Sequence, residues 1–221
     1  MASALTGFGL RWPPPDRSLQ AIPGPGHPCR CGKRVRFSGD ARGGTGAIVR
    51  VDRLVEHGGP LRPHKITVEH SFESGHRLPH LGGKCVSLHG HSWSVAVTVS
   101  APELSPEVTV VEFGALKVGL RRWIDEHLDH ATMLGVRDRL IAPLIAEGNR
   151  VFRFGVEHPA DDAERFGYGL TWPTVEAVAV LLGRVAESVL AGLPRADGAR
   201  VERVLVRETK LNTAVYEPTA S

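Results

Sequence analysis

The sequence predicts an α+β domain, an antiparallel sheet covered on one face by two helices. Three observations carry this expectation. Two β-branched, alternating runs, Lys65–His76 and His89–Ser100, are close enough in the chain to pair as a hairpin. Two later segments, Phe113–His127 and Val175–Leu190, carry apolar residues at helical spacing. A last strand-like run, Val201–Glu208, follows the second helix.

Taken in order, the first strand alternates through Ile66, Val68, His70 and Phe72, and a Gly82-Gly83-Lys84-Cys85 turn separates it from its partner. In the second strand His89 and His91 are two residues apart, so both imidazoles project from one face. The helix over 113–127 places Phe113, Leu116, Leu120, Trp123 and Ile124 on one stripe. Val136–Glu147 reads as a short helix despite Pro143, Asn149–Phe154 alternates like an edge strand, and Glu157–Gly169 reads as an irregular loop. The stretch from Val136 to Trp172 is read as a surface insertion, with an active-site flap or a subunit contact as alternatives. Thr174 is the expected N-cap of the helix over 175–190, whose stripe is Val178, Leu181, Leu182, Val185 and Val189, and Pro194 enforces its end.

A chain of 221 residues, 42% of them hydrophobic, can bury one sizeable core. No apolar stretch approaches the roughly 20 residues a bilayer requires, and the first residues lack the positive n-region of a secretory signal. A cytoplasmic location is expected. Three cysteines argue against a disulfide framework. The net charge of +3 is unevenly placed: residues 1–65 hold 11 of the 27 Lys and Arg but 4 of the 24 Asp and Glu, leaving 16 against 20 for the rest. Residues 1–64 are therefore read as a basic, Pro- and Gly-rich extension with the composition of disorder, and an overlong gene start fits it equally. Its Cys29-Arg-Cys31, near His27, lacks the second half of a structural zinc site. No membrane partner is expected, and nucleic acid is disfavoured because the basic character belongs to the extension.

His76, His89 and His91 fall within a single hairpin, and three neutral imidazoles plus one open position is the ligand count of a catalytic zinc. Cys85 would hang at the rim, where Lys84 and a bound cation would favour its thiolate.

At this point the sequence resembles the 6-pyruvoyltetrahydropterin synthase and 6-carboxytetrahydropterin synthase family. The matching blocks run in the family's order: Phe72-Glu-Ser-Gly-His76-Arg-Leu-Pro79, Cys85-x-x-x-His89-Gly-His91, Val110-Val-Glu-Phe-Gly-Ala-Leu-Lys117, Leu128-Asp129-His130, Pro173-Thr174-Val175-Glu176 and Arg207-Glu208-Thr209. The resemblance implies the tunnelling fold (T-fold) over 65–221, assembled as a homohexamer, a dimer of trimers, or another homo-oligomer. It also implies Zn2+ on His76, His89 and His91, with Cys85 as the proton-abstracting base and His130, oriented by Asp129, shuttling protons. Glu208, together with Thr174, would hold the pterin substrate, and Glu208 would join the relay.

The substrate implied is 7,8-dihydroneopterin triphosphate, whose side-chain hydroxyls zinc would acidify. The favoured product is 6-carboxy-5,6,7,8-tetrahydropterin, released with acetaldehyde and triphosphate, for 7-deazapurine (queuosine-type) biosynthesis. The alternatives are the 6-pyruvoyl sister activity, a non-catalytic zinc-containing pterin- or RNA-binding protein, and a structural zinc protein. The chain departs from the family wording at Glu73, Ser92-Trp93, Glu112 and Ala177.

Overall fold

The structure is a computed structural model and describes residues 62–219. The expected extension falls almost wholly outside the described residues, as do His27, Cys29 and Cys31. Among the described residues, six strands form one sheet: β1 (His64–His76), β2 (His89–Ala101), β3 (Ala131–Gly135), β4 (Val151–Phe154), β5 (Arg200–Arg207) and β6 (Thr213–Tyr216), in the order β4-β3-β1-β2-β5-β6. The helices are α1 (Phe113–His127), α2 (Ile141–Ala146) and α3 (Val175–Ala191).

The hairpin of β1 and β2 is antiparallel over its whole length, from His64 opposite Ala101 to His76 opposite His89. Alternation divides its side chains cleanly. Val68 and Phe72 from β1, with Trp93, Val95, Val97 and Val99 from β2, are buried, while Thr67, Glu69 and Glu73 are exposed. Val201, Val204 and Val206 of β5 extend the apolar face. Leu116, Leu120 and Ile124 of α1 and Val178, Leu181, Leu182 and Val185 of α3 close the core over it. Each of these burials contributes roughly 1.5–3 kcal/mol, so this one layer dominates the stability of the domain.

Caps define both long helices. Glu112 accepts from the backbone N–H groups of Gly114 and Ala115, which hold its carboxyl below the usual range. Glutamate thereby does at this position what a shorter aspartate would. Thr174 accepts from the N–H of Ala177 at 3.2 Å, as a capping threonine should.

The sheet is mixed rather than wholly antiparallel. β3 runs parallel to β1, with Ser74 opposite Ala131, and β4 runs parallel to β3. β3 was not expected from the sequence, because a short strand buried on both faces has no alternation to read. β6 was missed for its length, four residues on a sheet edge. The helix expected over 136–147 shrinks to α2, with Pro143 in its first turn, where a missing N–H is tolerated. The loop over 157–169 contains a 3-10 turn, Asp162–Gly167, anchored by the buried Glu164. That carboxylate accepts from the Arg153 backbone N–H and pairs with its guanidinium at 2.6 Å, tying the loop to β4.

Candidate metal centre

His76 and His89 face one another across the hairpin, and His91 lies opposite Ser74. All three imidazoles stand on the helix-covered face, because 76 shares parity with Val68 and Phe72, and 89 and 91 with Trp93 and Val95. They prolong the apolar stripe beyond the core. Their ring centroids are 4.7, 4.9 and 5.2 Å apart, and the wholly buried Trp93 packs edge-on against His76 and His91. Trp93 is itself fixed, its Nε1–H donating to the Ser74 carbonyl at 3.0 Å.

Hydrogen bonds settle which nitrogens are free. His76 Nδ1 lies 2.9 Å from the carbonyl oxygen of Pro173, and His89 Nδ1 lies 2.8 Å from that of Ser87. A carbonyl only accepts, so each Nδ1 carries the proton and each Nε2 keeps its lone pair. The Nε2 atoms of His76 and His91 are buried without any hydrogen-bond partner. One ligand atom from each of the three histidines falls within 4.8 Å of the others, so they could hold a metal ion. Burial lowers the pKa of His76 and of His91, with the neighbouring imidazoles adding to it and the Glu208 carboxylate opposing it. The neutral form that a metal needs is thereby favoured.

Glu208 lies just past the end of β5 rather than within it. Its Oε1 is 3.4 Å from His76 Nε2 and 3.9 Å from His91 Nε2. The carboxylate therefore edges the same site. Cys85 sits in a 3-10 turn, Gly83–Val86, entered through Gly82 and Gly83 at φ 73° and 64°, values that suit glycine. The Cys85 carbonyl accepts from the Leu78 N–H at 2.7 Å, which folds the turn back toward the end of β1. Its thiol is half-buried and is not among the three close-set ligand groups. Thr174 has its hydroxyl engaged in capping α3.

Asp129 and His130 form a local pair after α1. Asp129 Oδ2 lies 2.8 Å from His130 Nδ1, and its Oδ1 accepts from the Glu73 N–H at 2.8 Å. Partial burial pushes the Asp129 carboxyl up, but the Glu73 N–H and His130 outweigh it and hold it below the usual range. His130 takes the left-handed backbone conformation, φ 54°, and its side chain is 76% exposed. It lines a shallow depression with Glu73, Ser74, Gly75, Gly90, His91 and Ser92. His130 is not among the three close-set imidazoles.

Three contributors escaped the sequence reading. The carbonyls of Pro173 and Ser87 carry no side-chain signal, and Trp93 counted only as a departure from the family wording. The Glu73 carboxylate, another such departure, accepts from Ser92 at 2.9 Å, so these two residues answer one another across the hairpin.

The described residues contain no helix long and apolar enough to cross a membrane. The profile of the 6-pyruvoyl tetrahydropterin synthase family matches residues 65–219. Relatives named 6-carboxy-5,6,7,8-tetrahydropterin synthase include one from Rickettsia bellii, 33% identical over 90 residues, covering 40% of this chain and 65% of that one. Another, from Aquifex aeolicus, is 31% identical over 144 residues, covering 61% of this chain and 76% of that one. Against the Rickettsia relatives the chain spans only 54 to 65% of their length. Among solved structures, an uncharacterized protein from Wolinella succinogenes superposes with a TM-score of 0.52 at 24% identity, covering 72% of this chain and 99% of that one. The 6-pyruvoyl tetrahydropterin synthase of Plasmodium vivax gives the same TM-score and coverage at 16% identity, so the likeness is one of fold, the T-fold. With its sheet, its hairpin of histidines and a profile match spanning nearly all of the described residues, this chain belongs to the 6-pyruvoyl tetrahydropterin synthase family.

Proposed function

We propose that the protein is a zinc-dependent carbon–carbon lyase. It would convert 7,8-dihydroneopterin triphosphate and water to 6-carboxy-5,6,7,8-tetrahydropterin, acetaldehyde and triphosphate. The observation that carries this reading is the convergence of three imidazoles, with the Nε2 lone pairs of His76 and His89 left free by their Nδ1 bonds and the His91 Nε2 buried without a partner, edged by the Glu208 carboxylate. Names borne by relatives at 31–33% identity point to the 6-carboxy product.

His76, His89 and His91 would hold the metal, which when bound supplies Lewis-acid polarisation of the substrate's side-chain oxygens. Cys85 Sγ takes a proton from the substrate side chain. Glu208 accepts hydrogen bonds from the pterin ring and its amino group, fixing the ring beside the three histidines. In His130 the Nδ1–H faces Asp129, which leaves Nε2 to receive and return a proton. His130 is 76% exposed and stands outside the close-set histidines, and in this reading it serves the site of a neighbouring copy, so that the functional unit is a homo-oligomer, with a hexamer the expected form. Thr174 contributes by setting the start of α3 next to Pro173. We place the enzyme in the cytoplasm, supplying 7-deazapurine synthesis, and take residues 65–221 as the working domain.

The test is incubation of the zinc-loaded protein with 7,8-dihydroneopterin triphosphate and identification of products by mass, with Cys85→Ala alongside. Acetaldehyde and the 6-carboxy product, both lost in Cys85→Ala, are expected. A 6-pyruvoyl product would move the protein to the sister activity, and binding without turnover would make it a pterin-binding protein.

A further inference from the structure

The segment between β3 and α3 grips the strand end that carries His76 at three successive points. Just past it, the Pro173 carbonyl accepts the His76 Nδ1–H at 2.9 Å. From within it, the Asp138 carboxylate meets the Arg77 guanidinium at 3.1 Å, with side chains 0% and 9% exposed. At its end, the Trp172 indole stacks on the His80 ring, centroids 4.7 Å apart and planes 15° from parallel. Trp172 also lies against the end of β3: a β-carbon on Gly135 would stand 2.6 Å from its Cε3 and 2.5 Å from the Thr171 carbonyl oxygen. No side chain other than hydrogen fits there. The indole is thus wedged between an imidazole and a bare stretch of backbone, and its neighbour in the chain is the residue whose carbonyl aims His76.

We propose that Trp172 is a positioning residue for the metal site, acting through Pro173 on His76. The inference rests on the reading of the three histidines as metal ligands and adds to it a determinant of their geometry. A carbonyl that accepts the Nδ1–H of a ligating histidine sets both tautomer and ring direction, and loss of such a partner typically weakens metal binding 10–100-fold. Pro173 precedes the N-cap of α3, so without the wedge its carbonyl is held from the helix side alone. Stacking on His80 supplies the second hold, and because His80 lies in the turn that follows β1, four residues beyond His76, donor and acceptor are braced against each other.

The experiment is titration of the full-length, metal-free protein with Co2+, reading both affinity and the visible absorption of the bound ion, with thermal unfolding measured in parallel. Trp172→Ala is expected to weaken Co2+ binding about tenfold and to alter the absorption band, and Trp172→Phe, which can still stack, is expected to restore both. His80→Ala removes the exposed half of the stack and is expected to shift affinity in the same direction; it decides the matter where Trp172→Ala does not fold. Wild-type affinity in a folded Trp172→Ala or His80→Ala protein, even with a lowered Tm, overturns the positioning role and leaves the metal reading standing. A wild-type chain that binds no Co2+ overturns both.

Discussion

His76 Nδ1 and the carbonyl oxygen of Pro173 are 2.9 Å apart across 97 residues of sequence, and this one contact fixes which nitrogen of a buried imidazole is free. Burial also keeps that imidazole, and His91 beside it, neutral below the ordinary histidine value of 6.5. Unfolded, both take up protons near pH 6.5; folded and metal-free, they do so only at lower pH. Between those values the unfolded state binds more protons, so stability falls as pH drops through 6.5 and levels off below the folded values. Thermal unfolding of the metal-free protein between about pH 7 and 5 should show this decline. His91→Gln should make the slope shallower, and an identical slope in the variant would refute the account.

Use of the exposed His130 by a neighbouring copy makes a strong demand on catalysis. Cys85→Ala and His130→Ala should each be inactive alone. When the two are unfolded together and reassembled in equal amounts, random pairing restores about a quarter of the sites, because each needs an intact cysteine from one chain and an intact histidine from its neighbour. No recovered turnover in mixed oligomers would argue that each chain is self-sufficient.

Glu208 edges the histidine cluster at 3.4 and 3.9 Å and could serve either metal or substrate. As a pterin anchor it makes charge-assisted hydrogen bonds of about 1.5–3 kcal/mol, so Glu208→Ala should raise KM or the pterin Kd roughly tenfold to a hundredfold. Metal affinity should hold within about twofold. The opposite pattern, weaker metal and unchanged pterin binding, would make it a ligand.

Arg77 and Asp138 form an ion pair out of contact with water. Removing one partner leaves the other charge buried and unmatched, which costs about 3–5 kcal/mol. For a chain of this size Asp138→Ala should lower Tm by roughly 10 °C, measured by circular dichroism. Asp138→Asn should be milder. A Tm unchanged in Asp138→Ala would show that water reaches the pair.

Local pattern was enough to read the hairpin, α1 and α3. Alternation of two places His76, His89 and His91, and a stripe of three and four places Leu116, Leu120 and Ile124, because each repeat reports which side of its own element meets the core. Those periods are properties of neighbouring residues, so a single sequence displays them. β3 had no such signature: buried on both sides, Ala131–Gly135 looks like any short apolar run, and its parallel place beside β1 depends on a crossover through α1. The loop over 157–169 looked irregular until Glu164 found Arg153.

For the candidate site the division is the same. The sequence by itself determined which residues could bind a metal, since three histidines at strand spacing within one hairpin leave few other uses. Only the tertiary structure decided which imidazole nitrogens are free, where Glu208 lies, and how His130 is presented to solvent beside Asp129. The first depends on Pro173, the second on the turn after β5, and the third on a left-handed residue between α1 and β3. Contacts between residues far apart in the chain have no period to betray them, and a carbonyl acceptor has no side chain to be recognised by.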